Sequence, residues 1–87
     1  MYDVRLSHQA ERLYFQIDPR TRNRFDGVFE LFERGEFRHP NIRALHGSLA
    51  GRFRYRLGSW RIIFSIDHSN QIVWIEAITK RGGAYKR

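Results

Sequence analysis

Hydrophobic and polar positions alternate strictly along Gly51-Arg52-Phe53-Arg54-Tyr55-Arg56-Leu57. Period two is the mark of a β-strand, with Phe53, Tyr55 and Leu57 on one face and Arg52, Arg54 and Arg56 on the other. A second run of strand formers, Trp60-Arg61-Ile62-Ile63-Phe64-Ser65-Ile66, follows Gly58-Ser59. Gly-X between two such runs predicts a two-residue hairpin loop of type II′. That register sets Leu57 opposite Trp60, Tyr55 opposite Ile62 and Phe53 opposite Phe64. The other face then carries Arg56 against Arg61, Arg54 beside Ile63 and Arg52 beside Ser65. Like charges directly opposite one another on a sheet face are destabilising. A fold retains such a pair most readily where an anion, typically a phosphate, sits between them, so the face reads as an anion site rather than as a solvated charge run.

The rest of the chain supplies the scaffold. Tyr2-Asp3-Val4-Arg5-Leu6 alternates and predicts a short first strand. Ser7 then caps a helix in which Ala10, Leu13, Tyr14 and Ile17 follow helical spacing. Asp18-Pro19 starts a second helix, with Asp18 as N-cap and Pro19 in the first turn, where its missing N–H costs nothing. Phe25, Val28, Phe29 and Phe32 form its apolar stripe, and Gly35 ends it. The segment through His39-Pro40 and Leu45-His46-Gly47 reads as a loop before the hairpin. Asp67-His68-Ser69-Asn70 is a turn, and Gln71 to Thr79 is a strand apolar on both faces, hence central or covered. The predicted order is β-α-α-β-β-β, an α+β fold with a helical hairpin on one face of a small, mainly antiparallel sheet and the other face open and basic.

Composition sharpens this picture. A chain of 87 residues makes one small domain, 1–87, and its thirteen aromatic side chains supply core bulk. No cysteine is present, which removes disulfides and thiolate ligands and suits a reducing cytoplasm. No apolar stretch reaches membrane-spanning length, and the N-terminus lacks a signal-peptide core, so a cytoplasmic protein with no membrane partner is expected. The net charge of +7 is unevenly placed. Residues 1–50 carry eight Arg and seven acids, whereas residues 51–87 carry six Arg and two Lys against Asp67 and Glu76 alone. A segment so biased is the footprint of a polyanion-binding face, and the preference for Arg over Lys suits phosphate and base recognition.

Several chemistries find little support. The four histidines, His8, His39, His46 and His68, fall at no metal-ligand spacing, and no nucleophile elbow or helix-opening glycine-rich phosphate loop occurs. Phosphodiester cleavage through the ribose 2′-hydroxyl remains, and it needs no cofactor. It calls for a base, an acid for the departing 5′-oxygen, and cations to neutralise the pentavalent phosphate. Arg54, Arg56 and Arg61 can supply the cations. Tyr85, in the basic tail with Lys80, Arg81 and Lys86, can stack on a base or exchange a proton.

Leu45-His46-Gly47, Phe53-Arg54-Tyr55-Arg56-Leu57, Trp60-Arg61-Ile62-Ile63-Phe64, Thr79-Lys80-Arg81 and Tyr85 together resemble the RelE branch of the RelE/ParE toxin superfamily, over the whole chain. The resemblance implies a metal-independent endoribonuclease, the toxin of a type II toxin–antitoxin pair, which enters the ribosomal A site and cuts mRNA by 2′-OH attack. It implies catalytic roles for Arg54, Arg56, Arg61, Arg81 and Tyr85, and substrate contacts from Arg52, Lys80, His46 and Lys86. It further implies an antitoxin partner, with operator DNA bound only through the toxin–antitoxin complex. The same superfamily also contains ParE-like gyrase poisons without nuclease activity, the rival expectation. Where the best-known RelE-type pattern has Lys, this chain has Arg54 and Arg56. Arginine hardly ever releases its proton, so these two are expected to clamp phosphate and stabilise the transition state, and the general base is open among Tyr85, Lys80 and His46.

Overall fold

The computed structural model of the chain describes residues 1–80. Its elements are β1 (Asp3–Leu6), α1 (His8–Gln16), α2 (Pro19–Glu33), β2 (Ile42–Ala44), a 3₁₀ turn (Gly47–Leu49), β3 (Phe53–Leu57), β4 (Trp60–Asp67) and β5 (Ile72–Lys80). The five strands form one sheet in the order β1-β5-β4-β3-β2. Only the β1–β5 pair is parallel; the others are antiparallel.

The helix boundaries follow from the residues at them. The Ser7 hydroxyl accepts from the Ala10 N–H at 3.1 Å, and the Asp18 carboxylate accepts from the Thr21 N–H at 3.0 Å. Each satisfies one of the donors that a helix start leaves unpaired. At the other end of α2, Gly35 adopts φ +73°. Its N–H then reaches the Phe32 carbonyl at 2.9 Å, and the next N–H, that of Glu36, reaches Leu31 at 3.1 Å. This pair of bonds is a Schellman cap, which needs the left-handed conformation that glycine adopts without strain.

The two helices lie on one face of the sheet. Ala10, Phe25, Val28, Phe29 and Phe32 pack with Tyr55, Ile62, Phe64, Val73, Ile75 and Ile78 in one cluster. Phe32 and Phe64 sit at its centre, both fully buried, with ring centroids 4.4 Å apart. The Tyr14 hydroxyl donates to Asp26 at 2.5 Å and ties α1 to α2. That hydrogen bond, followed by burial, raises the phenol above its ordinary pKa.

Two features depart from the sequence expectation. Residues 42–44 form a strand on the outer edge of β3 where a loop was expected. Three residues are too few to show a period, and their pairing partner supplies the order. The β4–β5 ladder also breaks: Ile63 pairs with Ala77 but Phe64 with Ile75, leaving Glu76 as the extra residue of a β-bulge.

Candidate functional site

The hairpin has the register its alternation predicts. Arg56 lies opposite Arg61, Arg54 opposite Ile63, and the ladder starts at Phe53 against Phe64. Gly58 has φ +61° while Ser59 keeps a negative φ, the pattern of a II′ turn and not of I′, which requires both positive. On the other side of β3, Arg43 of β2 lies opposite Arg54. The Arg56 N–H donates to the Asn41 carbonyl at 3.0 Å, and the Leu45 N–H to the Arg52 carbonyl at 2.9 Å. The even-numbered residues of β3 therefore bond toward β2. Arg56 and Arg61 are then a non-hydrogen-bonded pair, the kind in which facing side chains stand closest.

Arg43, Arg54, Arg56 and Arg61 thus share the face away from the helices. Its floor is apolar: Ile63 and Ala77 are buried yet stand outside the core cluster. Arg54 is half-buried beside Ile63, and its guanidinium is lowered from its ordinary pKa, first by burial and then by Arg56, Arg43 and Arg61. An arginine in this setting keeps its proton, so the strain on its charge is relieved by an arriving anion rather than by deprotonation.

The acids on the same face are engaged elsewhere. Asp3 pairs with Arg5 at 2.8 Å. Asp67 accepts from the Asn70 backbone and side chain, which holds its carboxyl below the usual range. Glu76 accepts from Arg52 Nε at 2.5 Å with one oxygen and from the Ser65 hydroxyl at 2.8 Å with the other. Among the described residues, no carboxylate forms an ion pair with Arg43, Arg54, Arg56 or Arg61.

The predicted site residues divide accordingly. Arg54, Arg56 and Arg61 come together. Arg52 is committed to Glu76, a bond that the bulge makes possible by turning the Glu76 side chain onto this face. Lys80 pairs in register with Trp60 and lies over its indole, Nζ 5.0 Å from the ring centroid. It therefore follows Trp60 to the helix side, while Thr79 faces Arg61. His46 is exposed at the start of the 3₁₀ turn, next to Leu45, whose N–H bonds to the Arg52 carbonyl, and at the far end of β3 from Arg56. Arg81, Tyr85 and Lys86 lie outside the described residues. Arg43 is the member that the sequence reading missed. Its signal was the short alternation Ile42-Arg43-Ala44, legible only once a partner strand is known.

No protein-family model and no curated protein matches the chain. Solved structures do. The RelE–RelB complex of Pyrococcus horikoshii OT3 is similar at 23% identity and a TM-score of 0.80, covering 95% of this chain and 98% of that one. The RelBE2 toxin–antitoxin complex of Mycobacterium tuberculosis is similar at 28% identity and a TM-score of 0.71, covering 92% and 98%. The chain has the RelE toxin fold. The likeness extends to the YoeB–YefM complex of Staphylococcus aureus, at 15% identity, a TM-score of 0.75 and coverage of 93% and 98%. In this RelE-fold chain the helical hairpin, the parallel β1–β5 pair and the arginine-bearing hairpin span the matched length. Among the described residues no helix is long and apolar enough to cross a membrane.

Proposed function

We propose that this chain is the toxin of a type II toxin–antitoxin pair, an endoribonuclease that cuts mRNA in the ribosomal A site. The observation that carries the reading is the cluster Arg43, Arg54, Arg56 and Arg61. These are four cations from three strands on one face, with the face's acids turned to other partners. Such a cluster costs stability in the free protein and is useful chiefly to bind and stabilise a phosphate.

In the reaction, the ribose 2′-oxygen attacks the adjacent phosphorus and the bond from phosphorus to the 5′-oxygen breaks. The products are a 2′,3′-cyclic phosphate and a 5′-hydroxyl. The 2′-OH proton goes to a base and the leaving oxygen takes a proton from an acid, so charge is conserved. Between these steps the phosphate carries an extra negative charge. Arg61 and Arg56, which face one another across the hairpin, would hold it, with Arg54 and Arg43 clamping the flanking backbone. Arg81 is assigned to the leaving oxygen and Tyr85 to stacking or proton exchange, both on sequence grounds. The ribosome would splay the codon and set the in-line geometry, which suits a site whose clustered cations among the described residues are all arginines. The reaction takes place in the cytoplasm, and a cognate antitoxin, acidic or amphipathic, would wrap the helices and mask the arginine face. Operator DNA would be bound through that complex.

The test is cleavage of a defined mRNA by purified protein, with and without programmed ribosomes, mapped by primer extension. Cuts inside the A-site codon that require ribosomes, and that fall at least about tenfold in Arg61→Ala, are the expected result, since one lost transition-state donor costs several kcal/mol. Intact mRNA in both arms from protein that still halts growth would point to a gyrase poison instead.

A further inference from the structure

Trp74 stands apart from the other aromatic residues of the sheet. It is 42% exposed, whereas Tyr55 and Phe64 are buried in the core. Its place in the strand explains this. Val73 and Ile75 point into the core, so Trp74 between them points out onto the arginine face. On one side it is in register with Arg5 of β1, whose guanidinium carbon lies 5.6 Å from the indole centroid and is anchored by Asp3. On the other side it is in register with Ser65 of β4, whose hydroxyl meets Glu76, which in turn holds Arg52. Ser65 stands four residues along β4 from Arg61, about 13 Å at the rise of a strand. The open face therefore runs from a cluster of cations at the hairpin to an exposed indole with its own guanidinium at the opposite side of the sheet.

We propose that Trp74, with Arg5, is a stacking platform for a base of the substrate mRNA strand that flanks the scissile phosphate. The inference rests on the reading that the arginine cluster holds RNA, and it adds where the strand goes next. A strand held by its phosphates at Arg54, Arg56 and Arg61 needs a second point of contact to fix its direction across the sheet. Phosphate contacts hold the backbone without engaging a base, whereas an indole offers a π-face to whichever base reaches it. Arg5 serves the same nucleotide, since a guanidinium beside the ring can meet its phosphate or stack on the base.

The experiment measures binding of a fluorescently labelled single-stranded RNA of about ten nucleotides, by anisotropy at low salt. Wild type, Trp74→Ala, Trp74→Phe and Arg56→Ala are compared on this RNA and on an abasic strand of equal length. Stacking predicts that Trp74→Ala weakens binding to the RNA by about fivefold or more, with Phe restoring most of it. On the abasic strand, Trp74→Ala and wild type should bind alike, because there is no base to lose. As a check that needs no variant, RNA should quench tryptophan emission of the wild-type protein and the abasic strand should not; Trp60 packs on Phe25. An equal loss on both strands would make Trp74 a structural residue and overturn the platform. Unchanged binding by Trp74→Ala, while Arg56→Ala still weakens it, would overturn the platform and leave the ribonuclease reading standing. Wild-type protein that binds neither strand would overturn the platform, while the cleavage assay with programmed ribosomes decides the ribonuclease reading separately.

Discussion

Replacing Arg56 by glutamine should make the free protein more stable and at the same time a poorer RNA ligand. Arg56 stands directly opposite Arg61 in a non-hydrogen-bonded pair, where the two Cβ atoms are only about 4.5–5.5 Å apart. Arg56 is exposed, so its charge acts in a medium close to water. Two guanidiniums about 6 Å apart there repel by about 0.7 kcal/mol before screening. That lies within the range of about 0.2–1 kcal/mol for cross-strand pairs. Glutamine retains much of the stem and removes the charge, so most of this repulsion should appear as added stability. For a domain of this size it corresponds to a rise in Tm of about 3–5 °C in low salt, read by circular dichroism melts. In about 1 M salt, where charges are screened within about 3 Å, the gain should disappear. Added phosphate should raise the Tm of wild type more than that of the variant, because the anion relieves the same repulsion. A variant that melts below wild type in low salt, or whose gain is unaltered in high salt, would refute the argument that the arginine pair is held at a cost.

Gly58→Ala should destabilise by about 1 kcal/mol, because the turn needs φ +61°. The added Cβ would also meet an Arg24 terminal nitrogen at 2.9 Å, but that flexible side chain can move aside, so Gly58→Asn should recover much of the loss in a urea titration. Glu76→Gln removes the carboxylate that pairs with Arg52 while keeping side-chain volume, so single-stranded RNA should bind more tightly, with a log-affinity against log-salt slope steeper by about 0.7. An unchanged slope would mean that Arg52 does not reach the RNA. Asp18 is held below the usual carboxylate range by the side-chain and backbone hydrogen bonds of Thr21. A depressed folded-state pKa stabilises above the unfolded value near pH 4 and is lost as pH falls through the folded one. Asp18→Asn should therefore flatten the stability profile between about pH 5 and pH 2, and an unaltered profile would show that the cap carries no linkage.

Much of the site was legible because strand alternation and turn chemistry act locally. Gly58-Ser59 between two alternating runs sets the pairing, and once Leu57 faces Trp60, Arg56 has to face Arg61. The helix caps at Ser7, Asp18 and Gly35 are legible for the same reason, since each is decided by a residue and its neighbours within a turn. Arg43 was not legible. Its strand has three residues and exists because β3 offers an unpaired edge, a fact held by another part of the chain. The fate of Arg52 was hidden too. In sequence it belongs with Arg54 and Arg56, but its partner Glu76 is presented by a bulge 24 residues away.

The sequence by itself determined the α+β class, the order of the predicted elements, the hairpin register and the sidedness of its arginines. Short-range backbone sterics and the two-residue period decide all of these. Tertiary structure alone decided which cations stand together and which are neutralised. Arg43 joins the cluster through an edge strand, Arg52 is held by Glu76, and Lys80 follows Trp60 to the other face. Charges interact through space, and the chain brings them within a few ångströms only when distant strands pair.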